Sequence, residues 1–194
     1  MKTIRMASAP VQSRRECDII THMSAVSNLV SVDEYLHTLY RPDCDYVEGV
    51  LVERNVGEVT HAMAQQDLVA YLRQKRALWK MWVLQEVRVQ VRPTRYRVPD
   101  VCVVPGGRPD EEILTQPPLL CVEILSPEDR VGRMQDRIDD YFGFGVRFVW
   151  LIDPKARRAW IYTPDEIREV RDGLLRTADP EWIVPLADVL GQSA

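Results

Sequence analysis

A mixed β-sheet flanked by helices, in an α/β or α+β arrangement, is the fold class this sequence predicts. Three observations predict it. Short apolar runs of strand length recur through the second half of the chain: "WVLQEVRVQV", "RVPDVCVV", "LLCVEILS", "FVWLIDP" and "RAWIYTP". Segments with helical spacing lie among them. The two kinds alternate along the chain, and 194 residues are enough for one sizeable core.

The elements follow in order. Residues 1–28 are polar and irregular, and read as a poorly ordered N-terminal extension to a domain over 29–194. "SVDEYLHTLY" has Ser31 as a helix N-cap, Glu34 three residues later, and an apolar face of Val32, Tyr35, Leu36 and Leu39. "DYVEGVLVERN" alternates around a Gly and reads as a strand or hairpin. "THAMAQQDLVAYLRQKRAL" offers Thr60 as an N-cap and apolar residues at helical spacing through Ala64, Leu68, Val69 and Leu72. Three strands come next, then the helix "RMQDRIDDYFGFG", ended by Gly143 or Gly145. Two further strands joined by "KAR" follow, and "EWIVPLADVL" packs as a short closing element.

Composition narrows the function classes. The net charge of −4 argues against a protein that coats nucleic acid, but leaves room for a local basic patch. No apolar run reaches membrane-spanning length, and the first twenty residues lack a signal-peptide core, which points to a cytoplasmic protein with no membrane partner. The four cysteines show no C-x-x-C pair. Cys102 and Cys121 sit in apolar runs and read as small core residues rather than zinc ligands. No phosphate-cradling Gly-rich loop is present, so no nucleotide cofactor is expected.

Two acids stand out. In "LLCVEIL" both strand faces are apolar, which marks a central strand, and Glu123 lies within it. A lone buried carboxylate costs several kcal/mol. It must find a basic partner, take a proton, or bind a metal. Asp100 follows Pro99 at the start of the run "DVCVV", where it reads either as a strand-end aspartate or as a second acid beside Glu123. Two such acids are what magnesium takes, together with waters and phosphate oxygens.

"YRVPDVCVV", "PPLLCVEILSPEDR" and "DDYFGFGVRFVWLIDP" closely resemble the bacterial family of putative restriction endonucleases (Uma2-type) in the PD-(D/E)XK superfamily. "YVEGVLVERN" and "THAMAQQDLVAYL" fit its Glu-Gly hairpin and His-led helix. The resemblance covers roughly residues 30 to 190. It implies a restriction-endonuclease-like core and a Mg2+ or Mn2+ site from Asp100, Glu123 and the backbone carbonyl of Ile124. It further implies hydrolysis of DNA phosphodiesters, and a homodimer, since duplex cleavage often needs two sites.

The superfamily's lysine, two residues after the acid, is Leu125 here. In this family the lysine moves to the following helix, where Arg137 stands in this chain. Arginine stays protonated and cannot act as a general base, yet it can clamp a phosphate oxygen. The alternative is an ion pair with Glu123, giving an inactive nuclease-like fold that serves as a DNA-binding or protein-interaction module.

Supporting candidates are Glu48, Glu86, His61 and Ser126. Each has a plainer reading: a solvated hairpin acid, a pairing with Arg88 or Arg92, a structural helix-end histidine, and a cap. Arg92, Arg95 and Arg97 in "RPTRYR", with Arg130 and Arg133 in "RVGR", are the candidate phosphate contacts. "KARR" reads as a solubilising turn. No base-reading motif is visible.

Overall fold

The computed structural model describes residues 14–15, 29–41, 43–54, 58–127 and 129–191. The loose extension expected over residues 1–28 lies outside the described residues, apart from a two-residue strand, β1 (Arg14–Arg15). It runs parallel to β2 (Leu39–Tyr40). Between them comes α1 (Val32–His37), capped as the sequence predicts: the Ser31 hydroxyl accepts from the Glu34 N–H at 3.0 Å. The hairpin β3 (Cys44–Val47) and β4 (Val50–Glu53) turns at Glu48 and Gly49, both at positive φ.

The long helix α2 (Val59–Trp79) starts two residues earlier than expected. Glu58, not Thr60, is its N-cap, and it makes no side-chain cap bond. β5 (Met81–Gln85), β6 (Val89–Arg92), β7 (Arg95–Arg97), β8 (Val101–Pro105) and β9 (Leu120–Ile124) follow. Then come α3 (Val131–Phe144), β10 (Phe148–Asp153), β11 (Arg158–Tyr162), β12 (Ile167–Glu169), β13 (Leu174–Arg176), β14 (Ile183–Pro185) and α4 (Leu186–Leu190). Gly145, at φ 109°, closes α3 by donating to the carbonyls of Tyr141 and Phe142.

Six strands form the central mixed sheet in the order β12-β11-β10-β9-β8-β5. Only β9 and β10 are parallel, because α3 carries the chain back across the sheet between them. A second sheet has the order β4-β3-β7-β6. Two stretches that read as single strands are divided between these sheets. "WVLQEVRVQV" breaks at Glu86, whose φ of 50° cannot continue a strand, so β5 joins one sheet and β6 the other. "RVPDVCVV" breaks around Pro99, which has no N–H to give a ladder, so β7 and β8 part company there. β12 and β13, three residues each and too short to announce themselves, are additions to the expected element order.

Apolar side chains cover both faces of the central sheet. Leu68 and Leu72 of α2 pack with Val101, Val122 and Trp150 on one face. Met134, Ile138 and Tyr141 of α3 pack with Cys102, Cys121 and Val149 on the other. Cys102 and Cys121 are buried thiols in this second cluster, the core role their sequence context implies. Period-two alternation on β9 therefore sends Val122 and Ile124 toward α2, and Cys121 and Glu123 toward α3. No helix among the described residues is long and apolar enough to cross a membrane.

Candidate active site

Strand register brings the two acids together. β8 and β9 are antiparallel, with Val101 opposite Val122. One residue further, Asp100 comes opposite Glu123. The Asp100 side chain also reaches the neighbouring strand, where the Ile124 N–H donates to its Oδ2 at 2.7 Å. Both side chains are almost fully enclosed, Asp100 at 4% and Glu123 at 1% exposure. They line a cleft of about 290 Å³, together with Arg54, His61, Ser126, Asp129, Arg130, Arg133 and Arg137.

Each acid has its own cation. The Arg54 guanidinium donates to Asp100 Oδ1, and His61 Nε2 lies 3.3 Å from Oδ2. Gln65 donates to the Asp100 carbonyl at 3.0 Å and fixes the backbone there. Arg137 Nη1 donates to Glu123 Oε2 at 2.7 Å, and the Tyr141 hydroxyl donates to Oε1 at 2.5 Å. The ion pair weighed from the sequence as one alternative for Arg137 is thus present.

The environments push the two acids apart. Burial works to raise Asp100, but the His61 hydrogen bond and the Arg54 charge outweigh it and hold the carboxyl below its ordinary value. Burial dominates at Glu123 and pushes it up to about 7, with Asp100 adding to the rise and Arg137 opposing it. His61 is raised in turn, chiefly by its hydrogen bond to Asp100.

Behind Arg137 stands a residue the sequence reading passed over. Asp45 of β3 is fully buried. It accepts from Arg137 Nε at 3.0 Å, from Arg97 Nη1 at 2.9 Å and from the Val98 N–H at 3.0 Å. Arg97 continues to Asp140 of α3, which also takes Arg95 Nη1 at 2.8 Å. Asp45 was legible by the rule that singled out Glu123, a lone acid in an apolar strand, here "CDYV". Arg54 carried no such signal, because a strand-end arginine reads as solvated.

The other candidates fall in different places. His61 and Ser126 line the cleft, and the Ser126 N–H donates to Asp129 Oδ2 at 2.7 Å. Glu86 is exposed and accepts from Gln65 at 3.3 Å, which ties it to the Asp100 backbone. Glu48 is exposed on its turn and pairs with Arg95 at 2.6 Å. Arg95 and Arg97 are engaged by internal carboxylates, and half-exposed Arg92 lies 3.8 Å from Asp140. Arg130 and Arg133 are exposed on the cleft rim.

The donor set can be tested against a metal. Among the described residues no three His, Cys, Asp or Glu side chains gather as a metal cluster. Of the five acids on the cleft among the described residues, Glu53, Asp100, Glu123, Asp129 and Asp136, the two buried ones are Asp100 and Glu123, an all-oxygen pair that suits a hard cation keeping most of its waters. It also holds an orphaned donor: Arg54 Nε is buried with no hydrogen-bond partner among the described residues. A buried N–H on the wall of the cleft fits an oxygen of an anionic ligand.

The family model described as Uma2, putative restriction endonuclease, matches residues 32–191. The chain belongs to this family. The Uma2 assignment agrees with the fold found in solved structures. The crystal structure of a putative nuclease belonging to DUF820 from Anabaena variabilis is 21% identical. The match covers 83% of this chain and 97% of that one, with a TM-score of 0.71. No curated protein matches the chain.

Proposed function

We propose that this Uma2 member is a divalent-metal-dependent endodeoxyribonuclease that hydrolyses DNA phosphodiesters. One observation carries the reading: Asp100 and Glu123 face each other across β8 and β9 on the wall of an arginine-rich cleft. Asp100, Glu123 and the Ile124 carbonyl would hold Mg2+ or Mn2+, which when bound polarises a phosphodiester and acidifies water.

The chain's own residues do the rest. Arg137 remains charged and clamps a phosphate oxygen, stabilising the charge that develops there. Asp45 is its positioning residue, since the bond to Nε leaves the Nη edge turned toward Glu123. Tyr141 holds Glu123 from the other side. Arg54 presents its unpaired Nε to the same phosphate, and Arg130 and Arg133 take neighbouring phosphates on the strand. Two copies acting as a homodimer would cut the two strands of a duplex, in the cytoplasm.

A second reading has its own support. Every oxygen of Asp100 and Glu123 already has a protein donor, two of them from arginines. In that reading the arginines are permanent counterions, and the fold is an inactive module that binds DNA or protein.

Cleavage of supercoiled plasmid with Mg2+ or Mn2+ separates the two. The nuclease reading expects cutting by the wild type that falls to background in Glu123→Gln while the melting temperature holds. It also expects metal binding by calorimetry that the variant loses. No cutting and no calorimetric metal signal in the wild type would favour the inactive module.

A further inference from the structure

A second groove, of about 300 Å³, runs along the outer edge of the central sheet and shares no residue with the first. It lies between α2 and β5, and Arg73, Arg76, Trp82, Gln85, Arg108 and Glu111 mark its walls. The Arg76 guanidinium stacks on the Trp82 ring at 3.3 Å from the centroid, and Arg108 stands 5.8 Å from the same ring. A guanidinium stacked by its face leaves its N–H edge free for a phosphate.

The charge here is uncancelled. Arg54, Arg95, Arg97 and Arg137 are each paired with a carboxylate. Arg73, Arg76 and Arg108 have no ion-pair partner among the described residues. The groove's own acid, Glu111, is turned to Thr115, accepting its N–H at 3.3 Å and its hydroxyl at 2.6 Å. Asp110 and Glu112, the exposed neighbours of Glu111, do not line the groove.

Position ties this groove to the acids. His61, Gln65, Val69, Arg73 and Arg76 recur at helical spacing along one side of α2, leading from the first cleft to the second. On the sheet, Trp82 is four residues from Glu86, whose N–H reaches the Asp100 carbonyl at 3.4 Å. Four strand residues span roughly 13 Å, about four base-pair steps of a duplex.

We infer that this groove is a second phosphate-binding site, which grips the backbone of a DNA duplex about four base pairs from the scissile bond. The inference rests on the nuclease reading for its choice of ligand. It offers a way for a chain of net charge −4 to hold DNA: Arg130 and Arg133 on the rim of the first cleft and Arg73, Arg76 and Arg108 in this groove are two local groups of positive charge unpaired among the described residues.

The test is the anisotropy of a fluorescein-labelled duplex, titrated in EDTA with the full chain and with the double variant Arg73→Glu/Arg108→Glu. Both substitutions are on exposed side chains, and Arg76→Gln serves as a milder third protein. The expected result is at least a tenfold loss of affinity in the double variant. The slope of log K against log salt should fall by about 2, with an unchanged melting temperature. Duplexes that end within about three base pairs of the cut should be indifferent to the substitutions. If the wild type binds and cuts DNA but the double variant binds equally well, the groove assignment fails and the nuclease reading stands. If the wild type binds no duplex, both fail. If poly-glutamate competes as well as DNA and the variant loses both, the groove is a dock for acidic protein and the inference is overturned.

Discussion

The second sheet has two faces built from the same short strands, and they could hardly differ more. On one face Tyr46 of β3 and Tyr96 of β7 meet Tyr35 of α1, with ring centroids 4.9 Å and 5.5 Å from Tyr35. On the other face their chain neighbours Asp45, Arg95 and Arg97 join Asp140 and Arg137 in a buried ion network. A strand turns successive side chains to opposite faces, so "CDYV" and "RYR" each supply both surfaces. The comparison separates two jobs. Tyrosine packing attaches α1 to the sheet, and the ionic face attaches the sheet to α3 and, through Arg137, to Glu123. The first should matter to folding alone, and the second to folding and activity together.

The largest expected effect is on the aromatic face. Tyr35 is fully buried, and its hydroxyl donates to the Cys44 carbonyl at 2.8 Å. Tyr35→Ala should cost about 3–5 kcal/mol by the usual price of deleting a buried aromatic. Denaturant unfolding gives the loss, while plasmid cutting per folded molecule should be unchanged. A drop in that specific activity at temperatures where the variant is folded would show that the two faces are not separate.

Next comes the ionic face. Asp45→Asn keeps the shape but removes the charge that Arg137 and Arg97 share, and should destabilise by about 2–4 kcal/mol. It should also lower kcat with little change in KM, because Arg137 keeps Glu123 but loses its anchor. A lysine at position 137 has one ammonium and cannot span Asp45 and Glu123 together. Arg137→Lys and Asp45→Asn should therefore couple rather than add, by about 0.5–3 kcal/mol in a double-mutant cycle. Strict additivity in kcat would remove Asp45 from its positioning role.

The last effect concerns pH. Glu123 has a folded value of about 7 against an ordinary 4.5. The folded state therefore binds the proton more tightly than the unfolded chain, and stability falls as pH rises from about 4.5 through about 7. The size is on the order of 3 kcal/mol for such a displacement. His61, raised by Asp100, acts in the same direction from its ordinary 6.5 upward. Asp100, held low, adds stability above its ordinary 3.8 and loses it only in more acid solution. Melting temperatures in EDTA should decline across pH 5 to 7, and Glu123→Gln should flatten the decline. A flat wild-type profile would mean that Glu123 is ionised throughout.

Much of this was legible in the chain. Apolar runs marked the central strands, and Ser31 and the pair Gly143 or Gly145 marked helix ends, of which the structure uses Gly145, because each depends on chemistry within a few residues. Glu123 stood out because a carboxylate in an apolar strand is costly wherever the strand goes, and Asp100 joined it as the acid at the start of a neighbouring apolar run. The division of "WVLQEVRVQV" between two sheets was not legible. A glutamate at positive φ is held there by its surroundings, not by its own preference.

The sequence by itself determined the mixed helix and strand content, the family pattern and the identity of the two acids, since composition and period carry them. Only the tertiary structure decided what those acids touch. Register across β8 and β9 set Asp100 opposite Glu123. The packing of β3 and α3 supplied Asp45 and Arg137 from positions 92 residues apart. Ion pairs of that kind depend on where chains cross in space, and local sequence holds no information about which arginine will arrive. The same packing left Arg73, Arg76 and Arg108 without ion-pair partners among the described residues at the β5 edge.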